Sequence, residues 1–123
     1  MKEQFVTVVQ VNPRERPVKA SIKNDLASMQ KAVGGLIEVF RWKDFLVVCN
    51  DEGKVSNMLA NRALFDENGK LLDVICGPFF LVQSNVEGDF ISLSNDEVEK
   101  GIKEFFRIDF FYNNDGQIGV LQI

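Results

Sequence analysis

The chain has one place where residue types and spacing could bind something. Asn57-Met58-Leu59-Ala60-Asn61-Arg62-Ala63-Leu64-Phe65-Asp66 sets an amide and a guanidinium among apolar neighbours, outside any obvious turn. Arginine presents a planar fork of donors suited to carboxylate or phosphate. With Asn50, Asn61 or Asp73 beside it, Arg62 would suit a small anionic or nucleotide-like ligand. The competing reading makes Arg62 a brace, paired with an internal carboxylate such as Asp73, and ion pairs of that kind are often structural. Other chemistry is thinly supplied. There is no histidine, which removes the commonest general base, the commonest zinc ligand and every nucleophile pair built on imidazole. Cys49 and Cys76 sit in apolar runs and read as buried packing thiols. The acidic turns at Asp51-Glu52 and Asp66-Glu67-Asn68 lack the alternating ligands and distant Glu of a calcium loop. No metal ligand set, no cofactor and no catalytic residue is expected.

Composition narrows the class further. The 123 residues, 46% hydrophobic and 26% charged, suit one globular domain over residues 1–123 that buries a core without disulfide or metal staples. A net charge of -4 is too acidic for a general nucleic-acid coat. The charge is polarised: residues 1–50 carry eight Lys and Arg against five acids, and residues 51–123 carry six against thirteen. Arg14, Arg16, Lys19 and Lys23 form a weakly basic stretch without interleaved aromatics, so a nucleic-acid partner is not expected. The N-terminus lacks a signal peptide's continuous apolar run, and no segment approaches the roughly 20 apolar residues that span a bilayer. A reducing cytoplasm, with no membrane association, is the expectation.

The periodicities predict an α+β fold: a mainly antiparallel sheet of roughly six to eight strands with two helices packed on it and a C-terminal β-hairpin. Residues 4 to 11 read as a strand ended by Asn12-Pro13-Arg14-Glu15-Arg16-Pro17, and Val18 to Ile22 as its return. Asn24 is placed as the N-cap of a first helix, with Leu26, Met29 and Val33 on its buried face and Gly34 closing it. Leu36 to Trp42 and Phe45 to Cys49 follow as strands, the second apolar enough for burial on both faces. Glycine-bearing turns at Asn50–Lys54, Asp66–Lys70 and Asn113–Gln117 each predict a hairpin. Leu71 to Cys76 and Phe79 to Gln83 flank Gly77-Pro78, and Asn85 to Asp89 is another polar turn. Ser94-Asn95-Asp96-Glu97 is a capping box opening a helix that runs to about residue 106.

Adjacent phenylalanines at Phe79-Phe80 and Phe110-Phe111 point to opposite faces of their strands, so both faces need cover, and one layer of two helices falls short of that. In the last hairpin, Ile108 to Tyr112 and Gln117 to Ile123, apolar side chains on an edge invite pairing with another chain. Two outcomes are open there: the hairpin extends the monomer's own sheet, or it pairs with a second copy to make a homodimer.

Taken in order, several stretches resemble one family. They are Asn24 to Val39, Val47 to Lys54, Asn61-Arg62-Ala63-Leu64, Gly77-Pro78-Phe79-Phe80-Leu81-Val82 and the helix from Ser94. Together they span about residues 4–106 and are similar to domain of unknown function 3846, an uncharacterised family of phages, plasmids and other bacterial mobile elements. The resemblance implies an accessory protein of such an element and hands over no catalytic residues. Ala60 stands where a proline often precedes the Asn-Arg pair, and the hairpin at residues 107–123 is an addition to the pattern. The expectation is a non-enzymatic interaction module with an unidentified protein partner. The alternative is a small-ligand domain, binding or hydrolytic, centred on Arg62.

Overall fold

The computed structural model describes residues 2–123. Its main sheet is built from β1 (Phe5–Val11), β2 (Val18–Lys23), β3 (Ile37–Trp42), β4 (Phe45–Asn50), β7 (Phe79–Ser84) and the short β8 (Phe90–Ile91). The strand order is β2-β1-β7-β4-β3, with β8 beside the end of β7, and every pairing is antiparallel. Two hairpins stand apart as two-stranded sheets, β5 (Ala60–Phe65) with β6 (Leu71–Cys76), and β9 (Asp109–Asn114) with β10 (Gln117–Gln122). The α+β class and the C-terminal hairpin are as the sequence implies.

Period-two alternation sorts the sheet's side chains into two cores. Val9, Val11, Val47, Cys49, Phe79 and Leu81 face one side, where Leu64, Ile75, Val98 and Phe105 meet them. Val6, Val8, Val48, Phe80 and Val82 face the other, covered by Met29 and Val33. The helices therefore lie on opposite faces: α1 (Leu26–Val33) covers one, while α2 (Asn95–Glu104) and the β5–β6 hairpin share the second. This is how the adjacent phenylalanines Phe79 and Phe80 are both fully buried.

Several local expectations are corrected. The N-cap of α1 is Asp25, whose carboxylate accepts from the Ser28 N–H at 2.7 Å. Asn24 is buried instead, its amide donating to the carbonyls of Glu3 and Phe90 and so tying the chain start to β8. With the cap one residue later, Leu26 opens the first turn and stays exposed at the rim of a surface depression beside Phe90. The turn at Asn50–Lys54 makes no hairpin. Both edges of β4 are already taken by β3 and β7, so the chain coils through residues 51–57 and leaves for the second layer. The turns at Asp66–Lys70 and Asn113–Gln117 do close hairpins. The capping box forms as read, Ser94 Oγ accepting from the Glu97 N–H and Glu97 Oε1 from the Ser94 N–H.

Candidate functional site

A bulge in β5 makes the Asn61-Arg62 pair unusual. Alternation would send one of two neighbours outward, but the register to β6 shifts between Ala60 and Arg62. Both side chains turn inward, with Asn61 0% and Arg62 1% exposed. Asn61 donates its amide hydrogens to the carbonyls of Val11 and Gly77, each at 2.9 Å, and its Oδ1 accepts from Arg62 Nη1 at 2.8 Å. Arg62 Nε donates to the Phe105 carbonyl at 3.1 Å and Nη2 to the Glu15 carbonyl at 2.6 Å, while Nη1 also reaches the Asn61 carbonyl at 3.3 Å.

Arg62 thus ties β5 to the turn between β1 and β2 and to the end of α2, where a positive charge suits carbonyls of the last turn that have no partner within the helix. Among the described residues no carboxylate forms a salt bridge with it. Burial pushes the guanidinium pKa down, opposed by the charge of Asp109 and reinforced by Arg16. The expected ion pair with Asp73 is absent: Asp73 pairs with Lys54 on the surface. Burial works against the Asp73 carboxylate, yet the Lys54 hydrogen bond, the Val74 N–H and the Lys54 charge together hold its pKa below the ordinary value.

The four sequence-selected residues fall into different places. Asn50 and Asp73 line one cavity of about 320 Å³ with Cys49, Lys54 and Cys76, whereas Arg62 lines another of about 320 Å³ with Lys43, Glu104 and Asp109. Asn50 is also occupied, donating to the Val33 carbonyl and accepting from the Glu52 N–H. The thiols are not primed: burial first, then the Glu38 charge, push Cys49 up to about 12, and burial raises Cys76.

Sequence reasoning missed Asp109, which is 2% exposed. Its Oδ2 accepts from the Ala63 N–H at 2.9 Å and its Oδ1 from Gln122 Nε2 at 2.9 Å, fastening the C-terminal hairpin to β5 by a side chain instead of a strand ladder. The hairpin therefore does not extend any sheet of the monomer. The one signal for it is a carboxylate alone in the apolar run Ile108-Asp109-Phe110-Phe111. Arg16 adds a second fastening, donating to the main-chain oxygens of Phe106 and Ile123 with its guanidinium 4.7 Å from the Phe106 ring. Arg14 lies 5.5 Å from the Phe110 ring centroid. Held this way, the hairpin leaves Phe106, Tyr112, Ile118, Leu121 and Ile123 exposed. An open groove of about 780 Å³ runs between it and β6, lined among others by Leu72, Phe111, Tyr112 and Ile118.

The fold defines an antiparallel α+β domain with a fully internal arginine and an apolar outer hairpin, a description that carries no activity. The comparison with known families agrees in leaving activity open: the family described as Domain of unknown function (DUF3846) matches residues 6–107, and the chain belongs to it. The match ends before β9, so the apolar hairpin follows the family region. No curated protein and no solved structure matches the chain. No helix of the described residues is long and apolar enough to cross a membrane.

Proposed function

We propose that the protein is a non-enzymatic interaction module, a cytoplasmic accessory protein of a bacterial mobile element, acting through a protein partner. The observation that carries this reading is the state of Arg62. Its four hydrogen bonds all go to groups of its own chain, so the one constellation suited to an anionic ligand is already satisfied. The family resemblance supports the mobile-element origin. The binding surface is the outer hairpin, where Tyr112, Leu121 and Ile123 stand exposed beside Arg14 and Arg16. Apolar side chains flanked by guanidinium groups fit an apolar protein segment bordered by acidic residues.

The test is affinity capture from a bacterial lysate with the wild-type chain and with a Tyr112→Ser, Leu121→Ser double variant, alongside a thermal-shift screen of nucleotides and small phosphates. Capture of a discrete protein that the double variant loses is the expected result. A nucleotide that raises the melting temperature of the wild type, but not of Arg62→Met, would overturn it.

A further inference from the structure

The outer strand edges of this fold belong to β2, β3, β6 and β10, since β5 and β9 are turned toward each other across the Asp109 fastening and β8 is only two residues long. Three of those four carry charge: Lys19 and Lys23 on β2, Glu38 and Arg41 on β3, Asp73 on β6. Charged side chains are the usual guard against edge-to-edge association. The fourth is β10, Gln117-Ile118-Gly119-Val120-Leu121-Gln122, with no charge, no proline and no buried residue. Asp115 and Gly116 both have positive φ, 51° and 83°, which defines a two-residue type I′ turn whose flanking pair, Asn114 and Gln117, exchanges hydrogen bonds. The Ile123 N–H on the Ile108 carbonyl keeps the same phase. In β10 the odd-numbered residues therefore bond to β9, and Ile118, Val120 and Gln122 direct their N–H and C=O groups to the open side.

We propose that β10 is a dimerisation strand, pairing antiparallel with β10 of a second copy about a two-fold axis at Val120. This deepens the reading of the hairpin as an interaction surface and rests on it. Val120 then faces Val120 of the second copy, and Ile118 faces Gln122, so all three outward residues of each strand meet an outward residue. Shifting the register by two leaves one of them unmatched.

The same register resolves a second feature. Gly119 lies opposite Tyr112 in the hairpin, and the Tyr112 ring covers it so closely that a Cβ at Gly119 would stand 2.2 Å from Cζ. Across the axis, Gly119 faces Leu121 of the second copy on the same side of the sheet. Leu121 is 57% and Tyr112 54% exposed in the single chain. Pairing sets each leucine against the ring folded over the other copy's glycine, twice by symmetry. A seam without charge also suits self-association of an acidic chain, since no like charges meet along it.

The experiment is a light-scattering mass at high micromolar concentration, combined with oxidative cross-linking of single-cysteine additions in the full chain. The wild type is expected at twice 13.9 kDa. Val120→Pro, which removes an outward N–H and no bond to β9, is expected to halve that mass while keeping the circular dichroism spectrum. Val120→Cys should give a disulfide-linked dimer, since paired Cα atoms there lie about 5.5 Å apart. Ile118→Cys should not, its two copies lying about 14 Å apart. A monomeric wild type, a Val120→Pro variant that stays dimeric, or cross-linking through Ile118→Cys in place of Val120→Cys each overturns the proposal. A monomer that still captures its partner through Tyr112 and Leu121 removes the dimer alone and leaves the module standing.

Discussion

Arg62→Ala is the substitution that separates a brace from a ligand-binding residue. It leaves the Phe105 carbonyl and Asn61 Oδ1 without their donor inside the protein, while the Glu15 carbonyl, on an exposed residue, regains water. A buried acceptor left unpaired costs about 1–3 kcal/mol. Two of them, together with the lost burial of the stem methylenes at roughly 0.8 kcal/mol each and set against relief from carrying a desolvated charge, give an expected loss of about 3 kcal/mol. With a urea m-value of about 2 kcal/mol/M, the midpoint falls by about 1.5 M. Arg62→Met keeps most of the aliphatic stem and should recover about 1–2 kcal/mol of that loss, at roughly 0.8 kcal/mol per buried methylene. Urea unfolding of the two variants, followed by circular dichroism, reads both numbers. Should Arg62→Ala unfold within about 0.5 kcal/mol of the wild type, the size of an ordinary surface change, the brace is wrong and the guanidinium is free for other work.

Two further perturbations test the packing and the electrostatics. Gly101→Ala would ordinarily stabilise a helix interior by up to about 1 kcal/mol. Here the added Cβ would stand 2.9 Å from Leu81 Cδ1 and 3.2 Å from Val9 Cγ2, where α2 presses on the sheet. Overpacking of this kind costs about 1–3 kcal/mol, so thermal denaturation should show a net loss, and a gain would mean that α2 sits further from the sheet. The carboxylates of Glu3, Asp25 and Glu97 are held below their ordinary values chiefly by hydrogen bonds from Ser92, Ser28 and Ser94. Their folded pKa values lie below the unfolded ones, so the stability they contribute is present above the ordinary carboxylate range and is lost as pH falls through the folded values. The urea midpoint should hold from about pH 7 to pH 5 and decline below about pH 4.5, with a shallower decline in Glu97→Gln, which keeps the capping geometry. An equally steep decline in that variant would remove Glu97 from the account.

Elements whose signals are local are legible in the amino-acid sequence: the capping box at Ser94, the strand periodicities, the closing Gly34 and the glycine turns at Asp66–Lys70 and Asn113–Gln117. What is not legible depends on distant partners. Asn50–Lys54 has hairpin chemistry, but β4 has no free edge to offer, a fact set by β7 almost thirty residues later. Asn24 and Asp25 are both good caps, and the choice falls to Asp25 because Asn24 is claimed by Glu3 and Phe90. Arg62 is recognisable as out of place, yet most of its partners are main-chain carbonyls, which leave no mark in side-chain identity. Asn61, adjacent in sequence, is therefore found with it, whereas Asn50 and Asp73 belong to another cavity.

The position of β7 has a consequence for synthesis. β1 with β2 and β3 with β4 are each contiguous, self-contained pairs, but within the sheet they are joined by β7, which is made after both. As the chain leaves the ribosome, two half-platforms bridged by α1 must wait, their inner borders bare, until residues 79–84 emerge and slot between them. Any stall or truncation before that point releases two unjoined ribbons in place of a domain, and such fragments are the natural prey of proteases and chaperones.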